Sequence, residues 1–140
     1  MKKIEGALQN TDLFIPSYQE AVHYAGSGDL PAIRDHFARF PLKVFGVKLG
    51  ASGVYLTDFS REIRLPSLYE GRPVDTTGAG DAFFAGFLAA YLKGCSLREC
   101  GLIGSAQAAS VMRSIGANRS AGTWEEAMAL ISARSGQWEA

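Results

Sequence analysis

The order of the predicted elements is that of an α/β protein, with a mostly parallel sheet and helices on both of its faces. Two observations carry this prediction. Residues 44–49 form a mostly apolar, β-prone run, which is typical of an interior strand covered on both sides. Ser/Thr-x-x-Glu capping boxes at Ser17, Ser96 and Thr123 indicate that helices begin both before and after this strand.

Start and stop signals bound the two helices that are predicted before that strand. The first begins after Ser17 and ends near Gly26 or Gly28, because glycine adopts the left-handed conformation that closes a helix. The second begins after Asp29 and is stopped by Pro41. Its apolar stripe is formed by Ile33, Phe37 and Phe40.

Short extended runs predict the remaining strands. Residues 13–15 predict a short buried strand, and residues 54–57 and 62–65 predict a hairpin. These runs supply only part of a sheet, about four to six strands. Three helices follow, one that starts at Asp81 and two that open at the later capping boxes, ahead of a frayed tail at residues 135–140.

The composition is that of an ordinary soluble domain. The 140 residues are 47% hydrophobic and carry 14 basic and 14 acidic side chains, a net charge of zero. We therefore expect neither nucleic acid nor a membrane as a partner, and little charge repulsion against self-association. The apolar run at 82–92 is too short to span a bilayer, and the residues after Met1 do not open a signal peptide. A cytoplasmic protein with two free cysteines is the expectation.

The segment D-T-T-G-A-G-D at residues 75–81 lies where an extended stretch turns into a helix. A helix start presents unpaired N–H groups and the positive end of the helix dipole, and glycines let a ligand approach them. That geometry suits a phosphate. Asp81 repels such an anion, so its presence indicates a base that takes a proton from an attacking hydroxyl. The alternative is that Asp81 merely stabilises the helix start.

This segment, followed by A-F-x-x-G-F, resembles the second signature of the ribokinase-like (PfkB) carbohydrate kinases. Two weaker matches precede it: P-S-Y-Q-E-A at residues 16–21 is similar to P-N-x-x-E-A, and residues 47–53 are similar to a strand and turn ending in G-x-x-G. The resemblance covers the C-terminal half of the family. It implies a ribokinase-like three-layer αβα fold, of which residues 1–140 are the C-terminal ATP-binding half.

The resemblance also implies a role for each residue of the signature. Asp81 is implied to be the catalytic base that deprotonates a sugar hydroxyl. The N–H groups of Gly78, Ala79 and Gly80 are implied to form the anion hole for the transferred γ-phosphoryl group of ATP. Thr77 is counted with the two glycines among the residues that bind the nucleotide.

The turn that follows the interior strand has two interpretations. Gly50 and Gly53 are explained as turn glycines by the sequence alone. By resemblance they approach the nucleotide phosphates, and Lys48 adds a positive charge just before them.

The cations implied by the resemblance are Mg2+ and K+. Glu20 is implied to order the hydration shell of Mg2+, although its place in a capping box already explains it, and Ser17 stands where the family has asparagine. Asp75 and Thr77 are implied to bind K+ together with carbonyls from residues 110–116. The alternative is that Asp75 only closes a turn.

The family's sugar site lies mainly in an N-terminal half that this sequence lacks. We therefore expect a fragment, or a half that pairs with another chain, with an exposed sheet edge and apolar surface. Two functions stay open. One is a sugar kinase that acts on a small-molecule substrate in its complete form, and the other is an inactive nucleotide-binding half-domain or homodimeric assembly module. The sequence does not select the sugar.

Overall fold

The computed structural model describes residues 2–116 and 120–137, and these fall into two compact units. The first unit comprises Met1–Leu49 and Tyr55–Ile63, and the second comprises Gly50–Val54 and Arg64–Ala140. The frayed tail predicted at residues 135–140 begins instead with a 3-10 turn, Ser135–Gln137, while residues 138–140 lie outside the described part.

The strands form one mixed four-stranded sheet in the order β1-β2-β3-β4, which confirms the α/β class. Their bounds are Leu13–Phe14, Val44–Lys48, Val54–Thr57 and Glu62–Leu65. β1 and β2 are parallel, with Leu13 opposite Val44, and a bridge from Ser17 to Lys48 continues their pairing. β2 is buried because it is an interior strand of apolar residues, as its sequence predicts.

Three helices, α1 to α3, belong to the first unit, and α4 to α6 belong to the second. Their bounds are Lys2–Leu8, Tyr18–Ala25, Leu30–Phe37, Ala79–Leu92, Leu97–Val111 and Trp124–Ala133. All three predicted capping boxes are present, with the Ser17, Ser96 and Thr123 side chains accepting from the third residue of α2, α5 and α6. The Asp29 side chain caps α3 through the N–H of Ala32, as predicted.

Two features of the first unit differ from the prediction. Helix α1 was not predicted, because a seven-residue segment that contains Gly6 has little helical periodicity; it forms where Leu8 is buried and Ile4 packs against the core. Helix α3 ends at Phe37, so Phe40 is buried from beyond the helix and does not belong to its stripe. In this core the rings of Phe37 and Phe45 stack with their centroids 4.6 Å apart.

Close contact between α4 and α5 dominates the second unit. A Cβ added at Gly104 of α5 would lie 2.8 Å from the Phe83 carbonyl oxygen, and one added at Gly86 of α4 would lie 2.8 Å from the Gln107 side chain. Small residues therefore let the two backbones approach each other. None of the helices in the described ranges is long and apolar enough to cross a membrane.

Asp58, in the hairpin turn between β3 and β4, is expected to make the stability of the fold depend on pH. Asp58 Oδ1 accepts hydrogen bonds from the Ser60 hydroxyl and from the N–H groups of Ser60 and Arg61, which lowers the pKa of the Asp58 carboxyl to about 2 from 3.8. A lowered pKa stabilises the fold at pH values above the unfolded pKa, and this contribution is lost as the pH falls through the folded pKa. We expect Asp58→Asn to be less stable than the parent at about pH 5, with the difference shrinking towards about pH 2.5, in urea unfolding. A difference that is the same at both pH values would contradict this account.

Candidate functional site

The D-T-T-G-A-G-D segment forms the turn that leads into α4. Gly78 is the N-cap, with φ 79° and ψ −2°, a left-handed conformation that glycine adopts without steric penalty. The Ala82 N–H closes the first helical turn on the Gly78 carbonyl at 2.9 Å. The helix begins at Ala79, two residues earlier than predicted, so Asp81 is its third residue and not its first.

The backbone donors at this helix start differ in their availability. The Ala79 N–H donates to the Thr76 carbonyl at 3.2 Å, so this group would have to be shared with an anion. The N–H groups of Gly80 and Asp81 lie in the first turn, where a helix offers no internal partner, and Gly78 provides no side-chain cap. Gly80 is half-buried and Asp81 is exposed. This arrangement fits a phosphate group, which would take the place of the missing cap.

Asp75 connects the signature to the segment that follows α5. Its Oδ1 accepts from the Thr77 N–H at 2.9 Å and its Oδ2 from the Gly116 N–H at 3.2 Å. These bonds, that from the Thr77 backbone first, lower the pKa of the Asp75 carboxyl below its ordinary value, so the group is charged near neutral pH. The bond with Gly116 thus joins the signature directly to the end of the segment 110–116.

A cleft of about 570 Å³ opens beside the start of α4, within the second unit. Gly78 and Asp81 both line it, so the uncapped start of α4 and the Asp81 carboxylate border one space. Small residues of α4 and apolar residues of α5 form most of its wall, and Gln107, Ala121 and Trp124 also line it. A hydroxyl in this cleft would lie near both the carboxylate and the helix start.

Glu20 and Lys48 lie together in the first unit. Glu20 Oε2 accepts from the Ser17 N–H at 2.8 Å and from the Ser17 hydroxyl at 2.9 Å. These bonds, with a smaller contribution from the Lys48 charge, lower the pKa of the Glu20 carboxyl. Both bonds go to Oε2, and the side chain is exposed, so Oε1 fits the task of accepting from a metal-bound water.

Gly50 and Gly53, in the second unit, are both left-handed but meet different surroundings. A Cβ added at Gly53 would lie 1.9 Å from the Leu65 carbonyl oxygen, whereas one added at Gly50 would have nothing within 4 Å. Packing therefore explains Gly53 as a structural glycine. Gly50 faces open space, which is compatible with the approach of a ligand.

The sequence did not indicate that Gln107 and Trp124 would line the cleft. Gln107 and Trp124 lie on helices whose sequence patterns predict only packing. One signal was available for Gln107, which is a long polar side chain in the otherwise small and apolar middle of α5. Trp124 is the first residue of α6, directly after the N-cap Thr123, and the Lys93 ammonium group lies over its ring, 5.1 Å from the centroid.

Comparisons with known proteins show which family this chain is similar to. The sequence pattern of the pfkB family carbohydrate kinases matches residues 1–124. A sugar kinase of Archaeoglobus fulgidus, itself called uncharacterized, is 38% identical over 114 residues, which are 81% of this chain and 45% of that protein. A nucleoside kinase of Methanocaldococcus jannaschii is 40% identical over 80 residues, which are 57% of this chain and 26% of that protein.

A solved structure extends the likeness to the fold. Ribokinase of Arabidopsis thaliana, complexed with ribose and ATP, is 28% identical with a TM-score of 0.79, over 89% of this chain and 42% of that one. The chain spans less than half the length of the curated relatives described above. Because the family pattern covers most of its residues, this chain belongs to the pfkB family of carbohydrate kinases and has part of the ribokinase fold.

Proposed function

We propose that this protein transfers the γ-phosphoryl group of ATP to a hydroxyl of a sugar or sugar-like molecule, and that residues 1–140 act as the C-terminal ATP-binding half of the kinase. The observation that carries the proposal is the shared cleft of Gly78 and Asp81. An uncapped helix start is suited to the phosphate, and an exposed carboxylate three residues further on is suited to the acceptor hydroxyl.

The chemistry of this chain's residues is positioning and proton transfer. The first-turn N–H groups of α4 hold the γ-phosphoryl oxygens and stabilise the charge that they carry during transfer. Asp81 accepts the proton of the acceptor hydroxyl as its oxygen bonds to phosphorus and the bond from phosphorus to the ADP oxygen breaks. The proton rests on the Asp81 carboxylate, and ADP and the phosphate ester leave.

Each of the two units offers candidate ligands for a cation. Bound Mg2+ would neutralise the charge of the nucleotide phosphates. Glu20 would hold one of its waters through Oε1, which is consistent with both of its hydrogen bonds to Ser17 going to the other oxygen. Asp75 and Thr77 would hold K+, and the charged state of Asp75 at neutral pH supports that role. We place the enzyme in the cytoplasm, where the free thiols of Cys95 and Cys100 would stay reduced.

A second candidate is a nucleotide-binding module without turnover, alone or as a homodimer. The observation that favours it is the lining of the cleft beside Asp81, which consists mainly of small and apolar residues and offers few partners for the hydroxyls of a sugar. In that case the α4 turn binds the nucleotide phosphates and no acceptor is positioned against Asp81.

One assay separates the two candidates. The purified protein is given MgATP and a panel of pentoses, hexoses and nucleosides, and ADP release is followed by a coupled enzyme system. A kinase releases ADP only with one or a few acceptors, and the phosphorylated acceptor is identified by mass spectrometry. Nucleotide binding by calorimetry without any acceptor-dependent ADP release would favour the module. The absence of both would contradict the proposed function altogether.

A further inference from the structure

We propose that Cys95 and Cys100 are a redox-responsive pair, a modification site at which oxidation joins the two thiols in a disulfide across the turn between α4 and α5. Both thiols are free in this structure, which corresponds to the reduced state. The pair lies within the second unit, beyond the end of α4 that is opposite to Asp81. The inference therefore does not depend on the proposed function.

The cap of α5 brings the side chains of the two cysteines together. Residues five apart do not share a face of a helix, but Cys95 precedes the N-cap Ser96 and so lies outside α5. Counted from that cap, Cys95 is N′ and Cys100 is N4, the two positions whose side chains pack together in a hydrophobic staple. Cysteine packs as a small apolar residue, so the two thiols can form such a staple beside the capping box of Ser96 and Glu99.

The hydrogen bonds of the turn agree with this placement. The Cys100 thiol donates to the Cys95 carbonyl, with 3.6 Å between sulfur and oxygen. The N–H of Cys95 donates to the Ala90 carbonyl at 3.1 Å, and the N–H of Cys100 donates to the Ser96 carbonyl at 2.9 Å. Cys95 is thus held by the end of α4 and Cys100 by the first turn of α5, with the sulfur of Cys100 against the backbone of Cys95.

The two thiols differ in their access to solvent, and this difference sets the order in which they react. Cys95 is half-buried, whereas Cys100 is fully buried. Burial first, with smaller contributions from the charges of Cys95 and Glu99, raises the pKa of the Cys100 thiol to about 11. Few Cys100 thiols are therefore ionised near neutral pH. An oxidant meets Cys95 first, and Cys100 follows as the resolving thiol.

With a small-molecule disulfide as the oxidant, the reaction takes two exchange steps. Cys95 loses its proton to solvent, its sulfur attacks one sulfur of the small disulfide, and one small thiolate leaves and takes up a proton. Cys100 then loses its proton, its sulfur bonds to the Cys95 sulfur, and the second small thiolate leaves and is protonated. The two cysteines are oxidised and the small disulfide is reduced to two thiols. A reducing cytoplasm keeps the pair as thiols, and an oxidised thiol pool closes the bond.

The test measures the equilibrium of the protein with reduced and oxidised glutathione, once with the chain folded in buffer and once with it unfolded in urea. Unreacted thiols are blocked with iodoacetamide, and the bond between Cys95 and Cys100 is located by mass spectrometry of peptides. We expect the constant for disulfide formation to be about tenfold larger in the folded chain, because the staple keeps the two sulfurs close. By linkage, the oxidised protein should unfold at a higher urea concentration than the reduced one.

Three variants assign the steps. Cys100→Ser should stop at the mixed disulfide of Cys95, and Cys95→Ser should react with oxidised glutathione about tenfold more slowly than the parent, because its remaining thiol is buried. Ser96→Ala keeps both thiols and removes the cap, so its folded constant should fall towards the unfolded one. A folded constant of the parent equal to or below that of the unfolded chain would overturn the inference, as would glutathione on both cysteines with no bond between them.

Discussion

Replacing Asp81 with asparagine is expected to lower kcat by about 10² to 10⁴, the usual contribution of a general base, with little change in nucleotide affinity. Asparagine has nearly the same shape as aspartate, so the start of α4 and the Gly78 turn should keep their geometry. It cannot accept a proton from the acceptor hydroxyl. The loss should therefore fall on turnover and spare the binding of ATP.

Glu126 of α6 provides a matched control for the Asp81→Asn variant. Glu126→Gln also removes an acidic charge from the third position of a helix, α6, and Glu126 belongs to a capping box. That variant should lose a fraction of its stability and none of its turnover. Steady-state kinetics and nucleotide titrations on both variants check the assignment. Undiminished turnover in Asp81→Asn would exclude Asp81 as the base and leave it as a stabiliser of the helix start.

The parts of the fold that local chemistry decides were predictable from sequence. Capping boxes at Ser17, Ser96 and Thr123 act within four residues, so the starts of three helices follow from the sequence and the structure confirms them. The start of α4 was misplaced by two residues. Gly78, in a left-handed conformation, occupies the N-cap position, so no capping side chain marks the start of this helix in the sequence. Asp81, the residue from which the start was predicted, lies within the first turn.

The contacts that shape the site depend on residues far apart in the sequence. The bond between Asp75 and Gly116 joins positions 41 residues apart, and that between Gln107 and Gly122 joins positions 15 apart. No periodicity encodes such pairs, because each depends on how α5 packs and where the chain returns. The resemblance implied a K+ site shared by Asp75, Thr77 and carbonyls from residues 110–116, whereas the hydrogen bond that the Gly116 N–H donates to Asp75 was not predicted.

The turn after β2 shows why a motif glycine has to be tested against its surroundings. Gly50 and Gly53 are equivalent in the sequence pattern G-x-x-G, and both have positive φ, 59° and 88°. An L-residue in that conformation costs about 1–2 kcal/mol. The two positions differ in the atoms that an added side chain would contact. This difference predicts a larger loss of stability at Gly53 than at Gly50.

Gly53→Ala is expected to lower the free energy of unfolding by about 3 kcal/mol or more, because the strain is joined by overlap with backbone atoms that cannot move aside. The added Cβ would lie 1.9 Å from the Leu65 carbonyl oxygen and 2.8 Å from the Pro66 carbonyl carbon. Gly50→Ala should lose only the cost of the left-handed conformation, about 1–2 kcal/mol, since nothing lies within 4 Å of its Cβ. Urea unfolding of the two variants measures both values.

The same pair then locates the nucleotide contact. Gly50→Ala should remain folded, so its affinity for MgADP reports whether the phosphates approach this turn. Weaker binding in folded Gly50→Ala would place the nucleotide there, and unchanged binding would leave Gly50 as a turn glycine. Equal and small losses of stability in both variants would contradict the structural reason given for Gly53, because only close contact with the backbone at Leu65 distinguishes the two glycines.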